Sequence, residues 1–398
     1  MAFGVSAGQT HFDRLREQVR WFVGNLDRSM VLVTALLVAY GLVVVYSASL
    51  TTDEATVPRQ ALGVLLGLAL GAVMYRFDYR QFMGAIGFLF FFDCLLMVAP
   101  LIPGLSYEAN GITGWVRVPI IGLTFQTSEL AKPVTILLVA SLAARFNGRI
   151  DRLGDYLKLL GILAVPFALI MLQPDLGTGL VVLVSGAAVI LVAGPKRQWV
   201  LATLALLVAA VTVVLLTDSV IDAAVGDDLS LIKDYQMNRL LVFLDPQHDA
   251  TGSGYNLQQA LIAVGSGGLF GKGLGNATQA GSGFLPEAHT DFVFALLAEE
   301  FGFVGCALLL LLYLMLIFSS LRVAYRCDIL FGKLVVVGIA AMWTFQIFEN
   351  IGMCLSLMPI TGIPLPFISF GSSSMIAQLM TVGLVLSIDS HAGRTVKG

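Results

Sequence analysis

Ten apolar stretches recur along the chain, and they constrain its fold more than any other feature of the sequence. Most of them hold about 20 residues, the length that an α-helix needs to cross the hydrocarbon core of a bilayer. Only 12% of the residues are charged, whereas a soluble domain carries about 25%. The sequence therefore predicts an all-α polytopic membrane protein, with residues 1–398 in a single membrane domain. The predicted spans cover residues 30–50, 60–76, 82–102, 128–145, 156–173, 176–194, 198–217, 292–320, 330–354 and 370–388.

The lysine and arginine residues indicate how these spans are oriented. Most of the 23 basic residues lie in the terminal segments and in the loops that would share one side of the membrane with them. Cytoplasmic loops carry this excess, so both termini are expected in the cytoplasm, with residues 1–28 as a cytoplasmic segment. The first apolar stretch is too long for a signal peptide and is expected to remain as a span.

A long segment, residues 218–291, separates spans seven and eight and is expected to be an extracytoplasmic loop. Loops of this length often carry function. Within it, the apolar stretch from Ala260 to Leu269 is too short to span, so we expect it to lie in the membrane interface or to re-enter the membrane.

Several classes of site have no support in the sequence. The four cysteines show no CxxC spacing and the four histidines form no metal-ligand motif. Neither a Walker loop nor a Rossmann fingerprint occurs. The net charge of −3 gives no argument for a nucleic-acid partner, and none is expected. No cofactor is evident, although a divalent cation stays open because nothing in the sequence identifies or excludes its ligands.

Charged and strongly polar residues fall inside or at the ends of several predicted spans, where they are costly and indicate function. Glu129 and Lys132 share a helical face and could form a local ion pair, with Ser128 as the N-cap. Asp175 could likewise cap the helix that follows it. Most of these residues lie in the outer half of the membrane, which predicts a polar cavity open to the outside. The full set is Asp93, Glu129, Lys132, Asp175, Glu299, Glu300, Glu349 and Asn350.

The stretch "FLPEAHTDFVFALLAEEFG" places Glu287, His289 and Asp291 just before span eight. One interpretation is that Thr290 or Asp291 caps this span. Another is that Asp291 is a general base that accepts a proton from a sugar hydroxyl. A helix N-terminus favours the ionised carboxylate, which suits a base, so the two interpretations are compatible. His289 could be a structural hydrogen-bonding residue or part of the site.

Seven sequence motifs, spread from the first span to the last, are long and specific. They read "YSAS" (46–49), "PRQALG" (58–63), "QTSELAK" (126–132), "QPDLGTG" (173–179), "GYNLQQALIAVGSGGLFGKGLG" (254–275), "PEAHTDFVFALLAEEFG" (286–302) and "PITGIPLPFISFGSSS" (359–374). Together they resemble the SEDS family of bacterial shape, elongation, division and sporulation proteins. The last motif resembles the elongation (RodA) branch more than the division (FtsW) branch.

The resemblance implies a peptidoglycan glycosyltransferase that polymerises lipid II, an undecaprenyl-pyrophosphate-linked disaccharide peptide. Such enzymes work at the outer face of the cytoplasmic membrane, for cell elongation and shape, with a class B penicillin-binding protein as the transpeptidase. The family's essential aspartate corresponds to Asp291, which would accept the proton of the attacking 4-hydroxyl. The departing pyrophosphate needs cations. The candidates for that task are Arg59, Arg117, Lys132, Arg239 and Lys272. The other candidates for substrate binding are Trp115, Glu129, Asp175, Glu287 and His289.

The chain departs from the family pattern in one loop. The family usually has an arginine immediately before the tryptophan of this loop, whereas Gly114 precedes Trp115 here. Gln126 also follows Trp115 at a longer spacing than usual, and Thr127 replaces the usual proline. Arg117 is predicted to supply the missing charge.

Two other functions fit ten spans and a polar cavity. A flippase for lipid-linked sugars would need access from both leaflets and no general base. A scaffold that only docks cell-wall enzymes would tolerate the loss of every carboxylate in the cavity. Formation of glycan strands from lipid II by the purified protein separates the enzyme from both.

Overall fold

Apolar runs of this length fold as helices because lipid offers the backbone no hydrogen-bond partners and a helix satisfies its own. The structure, a computed structural model, describes residues 27–52, 55–109, 112–117, 124–225, 234–245, 249 and 252–392. Residues 1–26 of the predicted cytoplasmic segment lie outside the described residues. The described chain forms thirteen α-helices. They are α1 (Arg28–Ala48), α2 (Val57–Arg76), α3 (Ile86–Val98), α4 (Thr127–Ala144), α5 (Leu153–Met171), α6 (Leu176–Val192), α7 (Arg197–Val225), α8 (Asp234–Leu244), α9 (Ser253–Ser266), α10 (Thr278–Gly281), α11 (Val293–Arg326), α12 (Leu330–Cys354) and α13 (Ser372–Ala392).

The helices coincide with the predicted spans and confirm the helical membrane-protein class. Seven of them, α1, α2, α4, α5, α11, α12 and α13, are long and apolar enough to cross a membrane. Shorter apolar helices at Ile86–Leu101, Leu176–Val192 and Arg197–Val213 match the other three predicted spans. The number of ten spans remains a prediction.

A small antiparallel sheet, which the sequence does not predict, lies between α3 and α4. Its strands, in spatial order, are β1 (Ser106–Ala109), β2 (Ile112–Arg117) and β3 (Thr124–Gln126). Trp115 pairs with Gln126, and β3 runs directly into α4. The sheet thereby connects Trp115 to the start of a helix that lies almost wholly inside the protein.

Helices α2 and α13 pack against each other through small residues, as membrane helices often do. A Cβ at Gly63 would lie 2.9 Å from the Cα of Ser372, and one at Gly67 would lie 3.1 Å from the Cα of Ile376. Both sets of residues ascend together in sequence, so the two helices run parallel. Their amino ends therefore lie side by side.

Helix α11 is interrupted at Gly302, which has φ 64° and ψ −163°. The loop after α9 approaches the break so closely that a Cβ at Gly302 would lie 2.3 Å from the backbone nitrogen of Gly271. The amide of Phe303 donates to the carbonyl of Gly268 at 2.9 Å, and that of Val304 to Leu269 at 3.0 Å. Residues 292–300, before the break, are all buried, whereas exposed and buried residues alternate after it.

The predicted long loop, residues 218–291, contains regular structure in its described part. The end of α7 and helices α8, α9 and α10 all lie within it. Helix α9 buries Gly254, Leu257, Ala260 and Ala263 on one face, at helical spacing, and packs on α11. Leu261 and Ile262 remain exposed on the other face. Its position at the membrane interface stays a prediction.

Candidate active site

A cavity of about 640 Å³ gathers polar residues from distant parts of the sequence. We call it the central pocket. Its walls come from the amino ends of α2 and α13, the β2–β3 pair, the start of α6, helices α8 and α9, and the segments before α11 and α13. Of the predicted site residues it is lined by Arg59, Trp115, Asp175, Arg239, Glu287, His289 and Asp291.

The side chain of Asp291 lines the central pocket instead of capping α11. Phe292 is the N-cap of that helix and makes no side-chain capping bond, so capping by Thr290 or Asp291 is wrong. A Cβ at Gly362 would lie 3.1 Å from Oδ2 of Asp291, and Gly362 has φ 76°. Only glycine adopts that backbone conformation readily, so the loop before α13 can approach the carboxylate this closely.

The surroundings of Asp291 favour its neutral form more than the sequence predicts. Burial, with the negative charges of Glu287 and Asp175, raises the pKa of the Asp291 carboxyl to about 7, although the positive charge of Arg239 offsets part of this rise. The expectation that a helix N-terminus keeps the group ionised is therefore wrong in its net direction. A carboxyl whose pKa lies near neutrality can both accept and release a proton under physiological conditions.

A chain of contacts from α12 supports the same end of the pocket. The hydroxyl of Thr361 donates to Oε1 of Glu349, and Nη1 of Arg239 donates to the carbonyl of Thr361 at 3.2 Å. The side-chain amide of Asn350 donates to the backbone carbonyl of Asp291. Glu349 and Asn350 are almost fully buried. Their placement beneath the pocket accounts for two polar residues in an otherwise apolar helix.

Arg59 also lines the pocket, in the first turn of α2. Its guanidinium donates to Oγ1 of Thr124 at 3.3 Å and lies 5.8 Å from the ring centre of Phe370. The ring of His289 lies 5.7 Å from the same phenyl ring, and the amide of Phe370 donates to the carbonyl of His289 at 2.8 Å. One aromatic ring therefore separates this arginine from the segment that carries Asp291.

Comparison with known proteins agrees with this arrangement. A model of the FtsW, RodA and SpoVE family, described as cell cycle proteins, matches residues 27–394. The chain belongs to this family. The resemblance to SEDS proteins is thereby confirmed across nearly the whole chain.

Individual SEDS proteins match over similar lengths. The peptidoglycan glycosyltransferase MrdB of Escherichia coli (strain K12) is 36% identical over 383 residues, covering 95% of this chain and 97% of that one. The crystal structure of Thermus thermophilus rod shape determining protein RodA is 30% identical with a TM-score of 0.66, covering 93% and 98%. A chain from a peptidoglycan synthase complex, solved to study how polymerization and crosslinking are coordinated, is 32% identical with a TM-score of 0.74, covering 93% and 99%.

Asp175 and Glu129, two acidic residues predicted to bind substrate in this SEDS chain, have partners inside the protein. Oδ1 of Asp175 accepts from the amide of Thr178 at 3.0 Å, so Asp175 both caps α6 and lines the pocket. Burial raises its pKa. Glu129 and Lys132 form an ion pair of 2.7 Å, and their side chains are 1% and 2% exposed. Ser128 lies inside α4, whose N-cap is Gln126, so the predicted capping by Ser128 is wrong.

Lys272 lies outside the central pocket, where it pairs with Glu299 at 2.5 Å. Glu299 also accepts from the amide of Thr278 at 2.9 Å. Glu300 accepts from the hydroxyl of Ser47 and from the amide of Gly275 at 3.0 Å. These acids hold the loop between α9 and α10 against α11. They do not line the predicted polar cavity.

The two candidates from the atypical loop, Trp115 and Arg117, have different surroundings. Trp115 lines the central pocket. Arg117 is exposed and its guanidinium lies 5.9 Å from the ring centre of Tyr107. Among the described residues that line the pocket, Arg117 is absent. A role for it in substrate binding stays a prediction.

Several polar residues that line the pocket are not predicted by the sequence. Asn256 is one helical turn from Ser253 on α9, and both face the cavity. Thr361 and the serines at the start of α13 do so as well. The signal for Asn256, Thr361 and these serines was their position within the family motifs, since uncharged polar residues are common for many reasons.

No group of three or more histidine, cysteine or acidic side chains that could hold a metal ion occurs among the described residues. Asp175, Glu287 and Asp291 share the pocket without forming such a group. A divalent cation bound together with a substrate pyrophosphate stays an open prediction.

Proposed function

We propose that this SEDS protein polymerises lipid II into glycan strands at the central pocket, for cell elongation and shape. It is a peptidoglycan glycosyltransferase in a multi-pass membrane domain, like its curated relatives. The single observation that carries the assignment of the site is the carboxyl of Asp291, which lines a large polar pocket and has a pKa of about 7. A flippase or a scaffold has no need for a titratable base in such a pocket.

The proposed reaction joins two lipid-linked sugars. The 4-hydroxyl oxygen of the acceptor attacks the anomeric carbon of the donor and forms the new glycosidic bond with inversion. The bond between that carbon and the pyrophosphate oxygen breaks, and the lipid pyrophosphate leaves with the electron pair. Asp291 accepts the hydroxyl proton as the bond forms, which is general-base catalysis. Cations that line the pocket stabilise the charge on the leaving group.

The setting of the enzyme is part of the proposal. The central pocket opens at the outer face of the cytoplasmic membrane, with both termini inside, because the basic residues concentrate on the opposite side. The lipid tails then stay in the bilayer while the sugars reach the pocket. A class B penicillin-binding protein is the proposed partner. The similarity to a chain from a peptidoglycan synthase complex supports such an assembly.

The test uses the purified full-length protein with its partner penicillin-binding protein and fluorescent lipid II. We expect a ladder of glycan strands from the wild type and none from Asp291→Asn, since an amide cannot accept the proton. The matched control is Asp151→Asn, which alters an exposed surface ion pair with Arg149 and should leave the ladder unchanged. Wild-type glycan synthesis by Asp291→Asn would exclude Asp291 as the base. Movement of lipid II between leaflets without any ladder would favour the flippase.

A further inference from the structure

Two groups of residues that differ in charge line the central pocket, and we call them its two ends. Asp175, Glu287 and Asp291 line one end, with Arg239 as their neighbouring cation. Arg59 and the amino end of α13 line the other, where no carboxylate is among the lining residues that the structure describes. An anionic group entering the pocket would be repelled by the first end and attracted by the second.

Two parallel helix N-termini meet at this second end. Gly63 brings α2 against Ser372, so the first turns of α2 and α13 lie side by side. The hydroxyl of Ser372 donates to the backbone carbonyl of Arg59 at 3.0 Å and ties the two turns together. Each helix N-terminus carries a partial positive charge, and here the two charges add to that of the guanidinium.

The first turn of α13 also offers hydrogen-bond donors. The amides of Ser372, Ser373 and Ser374 donate to no group in the described part of the chain, and the first bond of the helix runs from Met375 to the carbonyl of Gly371. Free amides of this kind bind phosphate groups at helix N-termini.

The unpaired hydroxyl of Ser374 distinguishes this helix N-terminus from an ordinary one. The residue is only 9% exposed and lines the pocket. Its hydroxyl has no hydrogen-bond partner among the described residues, whereas the hydroxyl of Ser373 accepts from the amide of Gln126 at 3.1 Å. Most buried polar groups are paired, so an unpaired hydroxyl on a largely buried residue that lines a cavity is available to a ligand there.

We infer that Arg59 and the amino end of α13 form a subsite for a pyrophosphate ester, which holds the leaving group of the donor. The inference rests on the proposed function, because it names where one substrate of that reaction binds. Serine hydroxyls and backbone amides donate to the phosphate oxygens, and the guanidinium neutralises their charge. The donor then lies across the pocket, with its pyrophosphate at Arg59 and its anomeric carbon toward Asp291.

This orientation agrees with the chemistry of inversion. The attacking oxygen and the leaving oxygen must lie on opposite sides of the anomeric carbon. Asp291 serves the attacking side and the α13 subsite serves the leaving side, with Phe370 and His289 in the wall between them. Arg239 belongs to the attacking side, where it offsets the charge of Asp291 and not that of the pyrophosphate.

The test measures inhibition of lipid II polymerisation by inorganic pyrophosphate, using the full-length protein with its partner. Ser374→Asp and Arg59→Gln should each raise the inhibition constant about tenfold or more, because one adds a negative charge and the other removes a charge-assisted contact. Ser374→Ala should raise it about two- to tenfold. Ser390→Ala, at the far end of the same helix, should not change it.

Arg239→Gln is the contrasting variant. It should leave the inhibition constant for pyrophosphate within about twofold, although it lowers activity, because it acts on the attacking side. Equal rises with Arg59→Gln and Arg239→Gln would overturn the assignment of the subsite. So would a wild type that pyrophosphate does not inhibit.

Two control measurements address misfolding and the binding of a phospholipid headgroup. Thermal melting of each variant identifies misfolding, and Ser374→Ala keeps good helix propensity if Ser374→Asp fails to fold. Phosphatidylglycerol added to the same assay distinguishes a phospholipid headgroup from the donor, since competition by that lipid alone would overturn the pyrophosphate assignment.

Direct calorimetry of pyrophosphate binding tests the subsite without polymerisation. We expect the wild type to bind inorganic pyrophosphate and Ser374→Asp to bind it about tenfold more weakly or worse. A wild type that binds pyrophosphate but makes no glycan would contradict the proposed function and leave the subsite intact.

Discussion

The side-chain amide of Asn350 donates to the backbone carbonyl of Asp291 and to that of Ile363, each at 2.8 Å. One side chain thus joins the residue before α11 to the loop that carries Gly362. These two segments form the wall around the Asp291 carboxyl. A base has to be held within about half an ångström of its working position, and Asn350 is one buried residue that connects both parts of its support.

We therefore expect Asn350→Asp to lower the turnover number of polymerisation about tenfold or more. The substitution keeps the size of the side chain but directs a carboxylate at two carbonyl oxygens and leaves both unpaired. The Michaelis constant for lipid II should change little, because Asn350 positions the base and does not line the pocket. Asn276→Asp, at an exposed asparagine, is the control. A variant with wild-type turnover would show that Asp291 needs no such support.

The pH dependence of polymerisation should follow the charges around Asp291. The base works deprotonated, so activity rises with pH through its pKa of about 7. Glu287→Gln removes a negative charge that raises this pKa, so the rise in kcat/KM should move to lower pH by about 0.5–1 unit. Arg239→Gln removes the positive charge that lowers it, so the rise should move to higher pH. Shifts in the same direction for both variants would contradict the electrostatic account.

Arg59→Ala should lower kcat/KM more than Arg117→Ala does. The sequence predicts a loss of about 10- to 150-fold for Arg117→Ala if Arg117 contacts pyrophosphate, but the structure has Arg59 in the pocket and Arg117 exposed beside Tyr107. Arg117→Lys tests whether the geometry of the guanidinium matters, since lysine replaces a bidentate contact poorly. If Arg117→Ala costs as much as Arg59→Ala, then Arg117 does supply the charge missing at Gly114.

The orientation of the chain can be tested by labelling with an impermeant thiol reagent. We expect a cysteine at Asn276 to react when the reagent is added outside spheroplasts, and one at Arg149 to react only after lysis. Both positions are exposed. The four native cysteines, Cys94, Cys306, Cys327 and Cys354, are replaced first. The opposite labelling pattern would invert the predicted topology and the side on which the pocket opens.

The helices could be predicted because the hydrophobicity of a local stretch of chain is enough to identify them. The small sheet was not predictable, since "GITGWVRVP" combines glycine and proline with a short alternation that also fits a loop. The residues that line the central pocket could be predicted only in part. Glu287, His289 and Asp291 are neighbours in sequence, whereas Arg59 and Arg239 reach the site through the packing of distant helices.

Some polar residues could not be assigned because their partners are set by tertiary structure. Lys272 and Arg59 are both outer-side cations in the sequence. The loop that carries Lys272 packs against the break in α11, where the lysine pairs with Glu299. Lys272 therefore does not line the central pocket. The sequence marks Asn350 as an unusual residue inside a span, but its two carbonyl partners belong to loops whose structure the sequence does not predict.

The break at Gly302 divides α11 into parts that meet different surroundings. The part before the break is enclosed by protein. The part from Gly302 to Arg326 is by itself longer than the roughly 20 residues that a helix needs to cross the hydrocarbon core of a bilayer. Helices adapt to a thicker or thinner bilayer by tilting. Polymerisation rates in vesicles of short-chain and long-chain phospholipids should therefore differ by less than about twofold. We therefore expect the part after Val304 to tilt with the membrane while the part before Gly302 stays fixed, so that the break isolates Asp291 from changes in the thickness of the surrounding lipid.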